Sequence, residues 1–127
     1  MKRVVSTPKA PKAIGPYSQA IQVGDFLFCS GQGPMDPESG QIVRGDISTT
    51  TRRVLDNLMA ILNEAGYTWQ DVVKTTVFLQ NMGDFAAMNA VYATYFPTDP
   101  PARSTIQAAR LPRDIDVEIE LIACKSR

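Results

Sequence analysis

The residues best equipped for chemistry lie in one stretch, PPARSTIQAARLPRDIDVEIE, from Pro100 to Glu120. It reads as two β-strands, yet Arg103 follows two prolines, and Glu118 and Glu120 stand two apart among apolar residues. A charge in a sheet costs free energy unless water, a partner or a ligand meets it. A guanidinium offers a planar fork to a carboxylate, and a carboxylate near a cleft can hold a water and relay its proton. Residues two apart on a strand share a face. On the last strand Val117, Ile119, Leu121 and Ala123 form one set, suited to lie beneath helices; Asp116, Glu118, Glu120, Ile122 and Cys124 form the other. On the preceding strand Arg103, Thr105 and Gln107 alternate with Ser104, Ile106 and Ala108. If RLPRD closes a hairpin, the apolar sets stack under the helices, and Arg103, Thr105 and Gln107 fall on the face of Glu118 and Glu120. That face is either solvated, with cross-strand ion pairs of small value, or covered by another subunit, with Arg103 and a carboxylate lining a cleft.

The remaining composition narrows the chemistry. There is no histidine, so Ser-His-Asp and Cys-His machinery and His-ligated metals are excluded. Cys29 and Cys124 cannot make a structural zinc site by themselves, and in apolar surroundings they read as reduced thiols of an intracellular protein. The GQGP segment lacks both the dinucleotide fingerprint and the lysine of a phosphate loop. Carboxylates, Tyr17 and a few lysines are the proton-transfer groups left. Such a site suits an intrinsically reactive substrate, for which placing a water is most of the task. Thirteen basic and thirteen acidic residues cancel, so no global field recruits nucleic acid or an anionic membrane. No apolar run reaches the ~18 residues of a membrane span and no signal-peptide pattern opens the chain, so a cytoplasmic protein is expected.

The elements that must position these residues are legible in outline. KRVVST is a short edge strand before a Pro-rich loop. Tyr17–Val23 and Phe26–Ser30 form a hairpin about Gly24-Asp25, and turn chemistry follows Gly31. Leu55, Leu58, Ile61, Leu62 and Ala65 recur at helical spacing, with Ser48 or Thr49 as the cap and Gly66 after the last turn. VVKTTVFLQ is a strand. DFAAMNAVYATYF is a second helix carrying Phe85, Met88, Tyr92 and Phe96 on one side as core, ended by Pro97. Arg103–Ala109 and Asp116–Cys124 close the chain. The order β-β-β-α-β-α-β-β predicts a single α+β domain over residues 1–127, a two-layer sandwich with two helices on one face of a mixed sheet.

At AIGPYSQA, SGQ, VVKTTVFL, DFAAMNAVYATYF and the PARS…LP…D…VEIE block, the chain resembles the RidA/YjgF family of reactive-intermediate deaminases. The resemblance runs from about Lys12 to Ala123. It implies a chorismate-mutase-like fold and a homotrimer with sites in the subunit clefts. The implied reaction hydrolyses 2-imino acids, such as 2-iminobutanoate and 2-iminopropanoate, to 2-keto acids and ammonium, with no metal or organic cofactor. Carried across by position, Arg103 matches the arginine that grips the substrate carboxylate. Glu118, not Glu120, matches the glutamate that positions the hydrolytic water. Tyr17, Ser30, Gly31 and Asn89 match the pocket wall, Gly31 through its backbone N–H. By residue type alone Tyr17 is equally a packed ring, Gly31 a turn residue and Asn89 a polar helix position. Many members carry cysteine where this chain has Thr105, so the backbone N–H there can still bind substrate but no thiol role carries over. Two other functions remain: a non-catalytic trimer that binds small carboxylates or partner proteins, and RNA cleavage, against which the neutral charge and missing histidine argue.

Overall fold

The computed structural model describes residues 1–125. Its strands are β1 (Lys2–Val5), β2 (Ala20–Val23), β3 (Phe26–Gln32), β4 (Val72–Leu79), β5 (Ala102–Gln107) and β6 (Val117–Cys124); its helices are α1 (Ile47–Ala65) and α2 (Phe85–Tyr95). The expected α+β order is present. The six strands form one mixed sheet in the order β1-β2-β3-β6-β4-β5.

Strand alternation builds the core. Val117, Ile119, Leu121 and Ala123 of β6, Leu27 and Cys29 of β3 and Val77 and Leu79 of β4 point to one face and are buried. The helices cover that face with Val54, Leu55, Leu58, Ile61 and Leu62 of α1 and Met88, Val91 and Tyr92 of α2. The α1 cap is Asp46, whose carboxylate accepts from the Thr49 N–H, rather than Ser48 or Thr49. Gly66 ends α1 at φ 83°, a left-handed position that a Cβ disfavours. The β2–β3 hairpin turns at Gly24, φ 58°. Its first strand begins only at Ala20, because Tyr17, Ser18 and Gln19 belong to the loop. Gln19 is buried there, its amide donating to the carbonyls of Thr7, Ala10 and Pro11 while its oxygen accepts from the Thr7 N–H.

One topological expectation fails. β5 and β6 do not form a hairpin: β4 lies between them, parallel to β5 and antiparallel to β6. The unit β4–α2–β5 is a strand–helix–strand crossover, which brings its two strands together in parallel. RLPRD is therefore a passage across the end of β4, with Arg113 and Asp114 at positive φ. Among the described residues no helix is long and apolar enough to cross a membrane.

Candidate active site

β5 is the outer strand of the sheet beside α2. In its register with β4, Arg103 pairs with Thr75 and Thr105 with Val77, which in turn face Leu121 and Ile119 of β6. Paired residues share a face, so Arg103, Thr105 and Gln107 lie on the helix-bearing side. There the Arg103 guanidinium meets α2. Its Nη1 donates to Asn89 Oδ1 at 2.8 Å, and its Cζ stands 4.7 Å from the Tyr92 ring centroid and 5.5 Å from that of Phe85. Phe85, Asn89 and Tyr92 recur at four and three residues and therefore share one helical face. Arg103 is half-buried and, among the described residues, pairs with no carboxylate. Thr105 Oγ1 is buried close by in the register without a hydrogen-bond partner among those residues. A partly desolvated guanidinium lacking a counter-ion is a seat for an anion.

Glu118 sits on the other side. It pairs with Phe78, and Glu120 with Thr76, facing away from the helices. Between Cys29 and Gln32 the β3–β6 register slips by one residue, a bulge formed by Ser30 and Gly31. The bulge presents Gly31 to Glu118 so closely that a Cβ at position 31 would collide with the carboxylate. Only glycine leaves the carboxylate in this place, and space rather than φ is the reason. A cavity of about 530 Å³ opens beside them, lined in part by Tyr17, Gly31, Met35, Arg113, Ile115 and Glu118. Glu118 is half-buried, and burial first, then the neighbouring Glu120, push its pKa above the usual carboxylate value. Tyr17 is exposed, its hydroxyl accepting from the Ile14 N–H at 3.3 Å. Ser30 Oγ donates to the Ser18 carbonyl at 2.6 Å, so that hydroxyl holds the Tyr17 loop in place.

The expected residues thus fall into two groups on opposite faces of one sheet. Arg103, Asn89 and Thr105 form one; Tyr17, Gly31 and Glu118 form the other, with Ser30 as its brace. The expectation that Arg103 shares a face with Glu118 and Glu120 is overturned, because it rested on the β5–β6 hairpin. Sequence reasoning also placed Phe85 and Tyr92 in the core alone. Their spacing about Asn89 was the available signal that they face the same object. Met35 and Ile115 were not singled out at all; nothing in their spacing marks them as cavity lining.

Residues 7–125 match a family model described as Endoribonuclease L-PSP. A RutC family protein of Pyrococcus horikoshii is 57% identical over 98% of this chain and 99% of its own length. The mouse protein named 2-iminobutanoate/2-iminopropanoate deaminase is 50% identical over 97% of this chain and 91% of its own. The solved structure of E. coli TdcF with bound serine superimposes with a TM-score of 0.93 at 42% identity, over 98% of this chain and 99% of that one.

Proposed function

This chain belongs to the YjgF/RidA family, and from that premise we propose that it hydrolyses reactive 2-imino acids to 2-keto acids and ammonium in the cytoplasm. The observation that carries this reading is the pair of half-sites: a guanidinium without a counter-ion on one, and a desolvated carboxylate beside a cavity on the other. A small molecule whose carboxylate is bonded to the electrophilic carbon of a C=N group fits that pair. Because the halves lie on opposite faces, the complete site needs two copies, with the β5 edge of one against the Glu118 cavity of the next. A homotrimer with three such clefts satisfies this.

In that cleft Arg103 binds the substrate carboxylate, its orientation fixed by Asn89, while the Gly31 and Thr105 N–H groups and Tyr17 define the wall. Glu118 holds a water against the C=N carbon. Attack forms the C–O bond as Glu118 accepts a proton from the water. The same proton passes to nitrogen, which already carries the proton that the imine took from solvent. The C–N bond breaks as Glu118 takes the proton of the new hydroxyl and C=O forms. That proton goes to the departing ammonia, which leaves as ammonium. Overall, imine, water and one proton give keto acid and ammonium. An acid whose pKa is raised toward neutrality is suited to both halves of this exchange.

The mouse deaminase and the serine-bound TdcF support a small amino-acid-derived ligand. The serine complex equally favours a second reading, a binding module without turnover. To decide, the protein is added to a PLP-dependent dehydratase generating 2-iminobutanoate, with imine lifetime and keto-acid release followed. Faster release is expected. Unchanged kinetics with measurable 2-oxobutanoate binding would leave only the binding module, and cleavage of a single-stranded RNA control would favour the reading carried by the family model's description.

A further inference from the structure

We propose that Tyr92, with Phe85 as a second wall, is a positioning residue whose ring sets the Arg103 guanidinium for a carboxylate. The identity of the ligand rests on the imino-acid reading above; the state of the guanidinium does not. An arginine on an edge strand has a long, rotamer-rich side chain, and freezing it at the moment of binding weakens affinity. Here the freezing is done in advance. The Tyr92 ring lies 4.7 Å from Cζ, Phe85 lies at 5.5 Å, and Asn89 takes Nη1. Among the described residues Nε and Nη2 donate to no acceptor, which leaves two N–H groups for the two oxygens of a carboxylate.

The platform is itself held. Tyr92 and Thr75 share a buried hydroxyl–hydroxyl hydrogen bond of 2.7 Å, and Thr75 is the β4 residue paired with Arg103. Strand pairing, hydroxyl contact and ring–cation contact therefore close a circuit from Arg103 back to Arg103. Behind Tyr92 the ring of Phe96 packs at 4.7 Å, and Trp69 packs on Phe96 at 5.0 Å. Burial raises the Tyr92 pKa, opposed by the Thr75 hydroxyl and the Arg103 charge, so the phenol stays neutral beside the guanidinium. Hydrophobic packing alone would not require the polar end of Tyr92 to meet the one strand residue opposite Arg103.

Two measurements on the full chain test this. Nitrogen NMR of the Arg103 guanidinium, assigned by its loss in Arg103→Lys, reads rotation about the Nε–Cζ bond without any ligand. Slow rotation is expected in the natural protein and in Tyr92→Phe, which keeps the ring, and fast rotation in Tyr92→Leu. Calorimetry with 2-oxobutanoate should show about tenfold weaker binding for Tyr92→Leu, the size of a partly desolvated cation–ring contact, and less than about threefold for Tyr92→Phe. In turnover KM should rise with kcat nearly constant, because the contact binds ground and transition states alike. Combined with Arg103→Lys, Tyr92→Leu should add no further loss of affinity. Should Tyr92→Leu fail to fold, Phe85→Leu replaces it with the same expected directions. A freely rotating guanidinium in the natural protein, or strictly additive losses in the double variant, overturns the proposal. A held guanidinium in a protein that binds no keto acid sustains it and instead removes the imino-acid reading.

Discussion

Lysine at position 103 would keep the charge and lose the geometry. One ammonium replaces a planar fork that Asn89 and two rings have aimed, so Arg103→Lys should retain the fold while losing on the order of 10²-fold in kcat/KM, read from keto-acid release. Near-normal release from a folded variant would show that Arg103 does not hold the substrate. Glu118 and Glu120 sharpen the same question. Both point away from the helices, but Glu118 is half-buried beside the cavity and Glu120 is exposed. Glu118→Gln should slow imine disappearance about 10²–10⁴-fold, and Glu120→Gln far less. Stability should move the other way. Burial raises the Glu118 pKa, so its charged form opposes folding above that pKa and the penalty fades as pH falls through it. Glu118→Gln should therefore raise Tm at pH 7, with the gain gone below about pH 4, where the carboxyl is protonated folded or unfolded. Equal Tm values at pH 7 would mean that water or the neighbouring copy's guanidinium offsets the burial. The choice between these neighbours was not available from alternation, which assigns both to one face; only the bulge opposite them separates their surroundings.

At the scale of elements the sequence was clearest where one period ran long. The α1 stripe from Leu55 to Leu62 and the β6 alternation from Val117 to Ala123 both stand as expected, because burial on one face leaves little choice of register. Partners of strands were harder to read. Alternation says which residues of β5 share a side but not which neighbour β5 joins, and RLPRD has the composition of a turn. The intervening helix between β4 and β5 carried the missing information, since it commits those strands to run parallel. The Ser30–Gly31 bulge was also hidden, because an extra residue in a strand leaves no mark in composition. It has a testable role. Gly31→Ala should fold normally, since the atoms in its way end a flexible side chain, but it should drive the Glu118 carboxylate from its position. Activity should fall toward the level of Glu118→Gln at unchanged circular dichroism and mass. Full activity in Gly31→Ala would mean that Glu118 has room to move without consequence.

The whole molecule has one face covered by helices and one left half apolar. Val4, Phe26, Phe28 and Ile106 expose 59%, 46%, 45% and 48% of their surface on the face away from the core, among polar residues such as Thr76 and Glu120. Apolar area exposed in this way on a sheet face is commonly closed by a second copy. Light scattering at micromolar concentration should give about three times 13.9 kDa; a clean monomer removes both the trimer and the shared cleft. The opposite placement of Arg103 and Glu118 then has a genetic consequence. Two inactive chains, Arg103→Lys and Glu118→Gln, each carry the half that the other has lost. Co-expressed and assembled at random in a ring, they pair an intact arginine with an intact glutamate in about a quarter of the clefts. Activity near that fraction of the natural protein's should reappear in the mixture, while the two variants purified separately and mixed without exchange stay silent. Two alleles that each fail alone and complement only when expressed in the same cell would be the signature of an enzyme whose chains are inherited singly and work only in company.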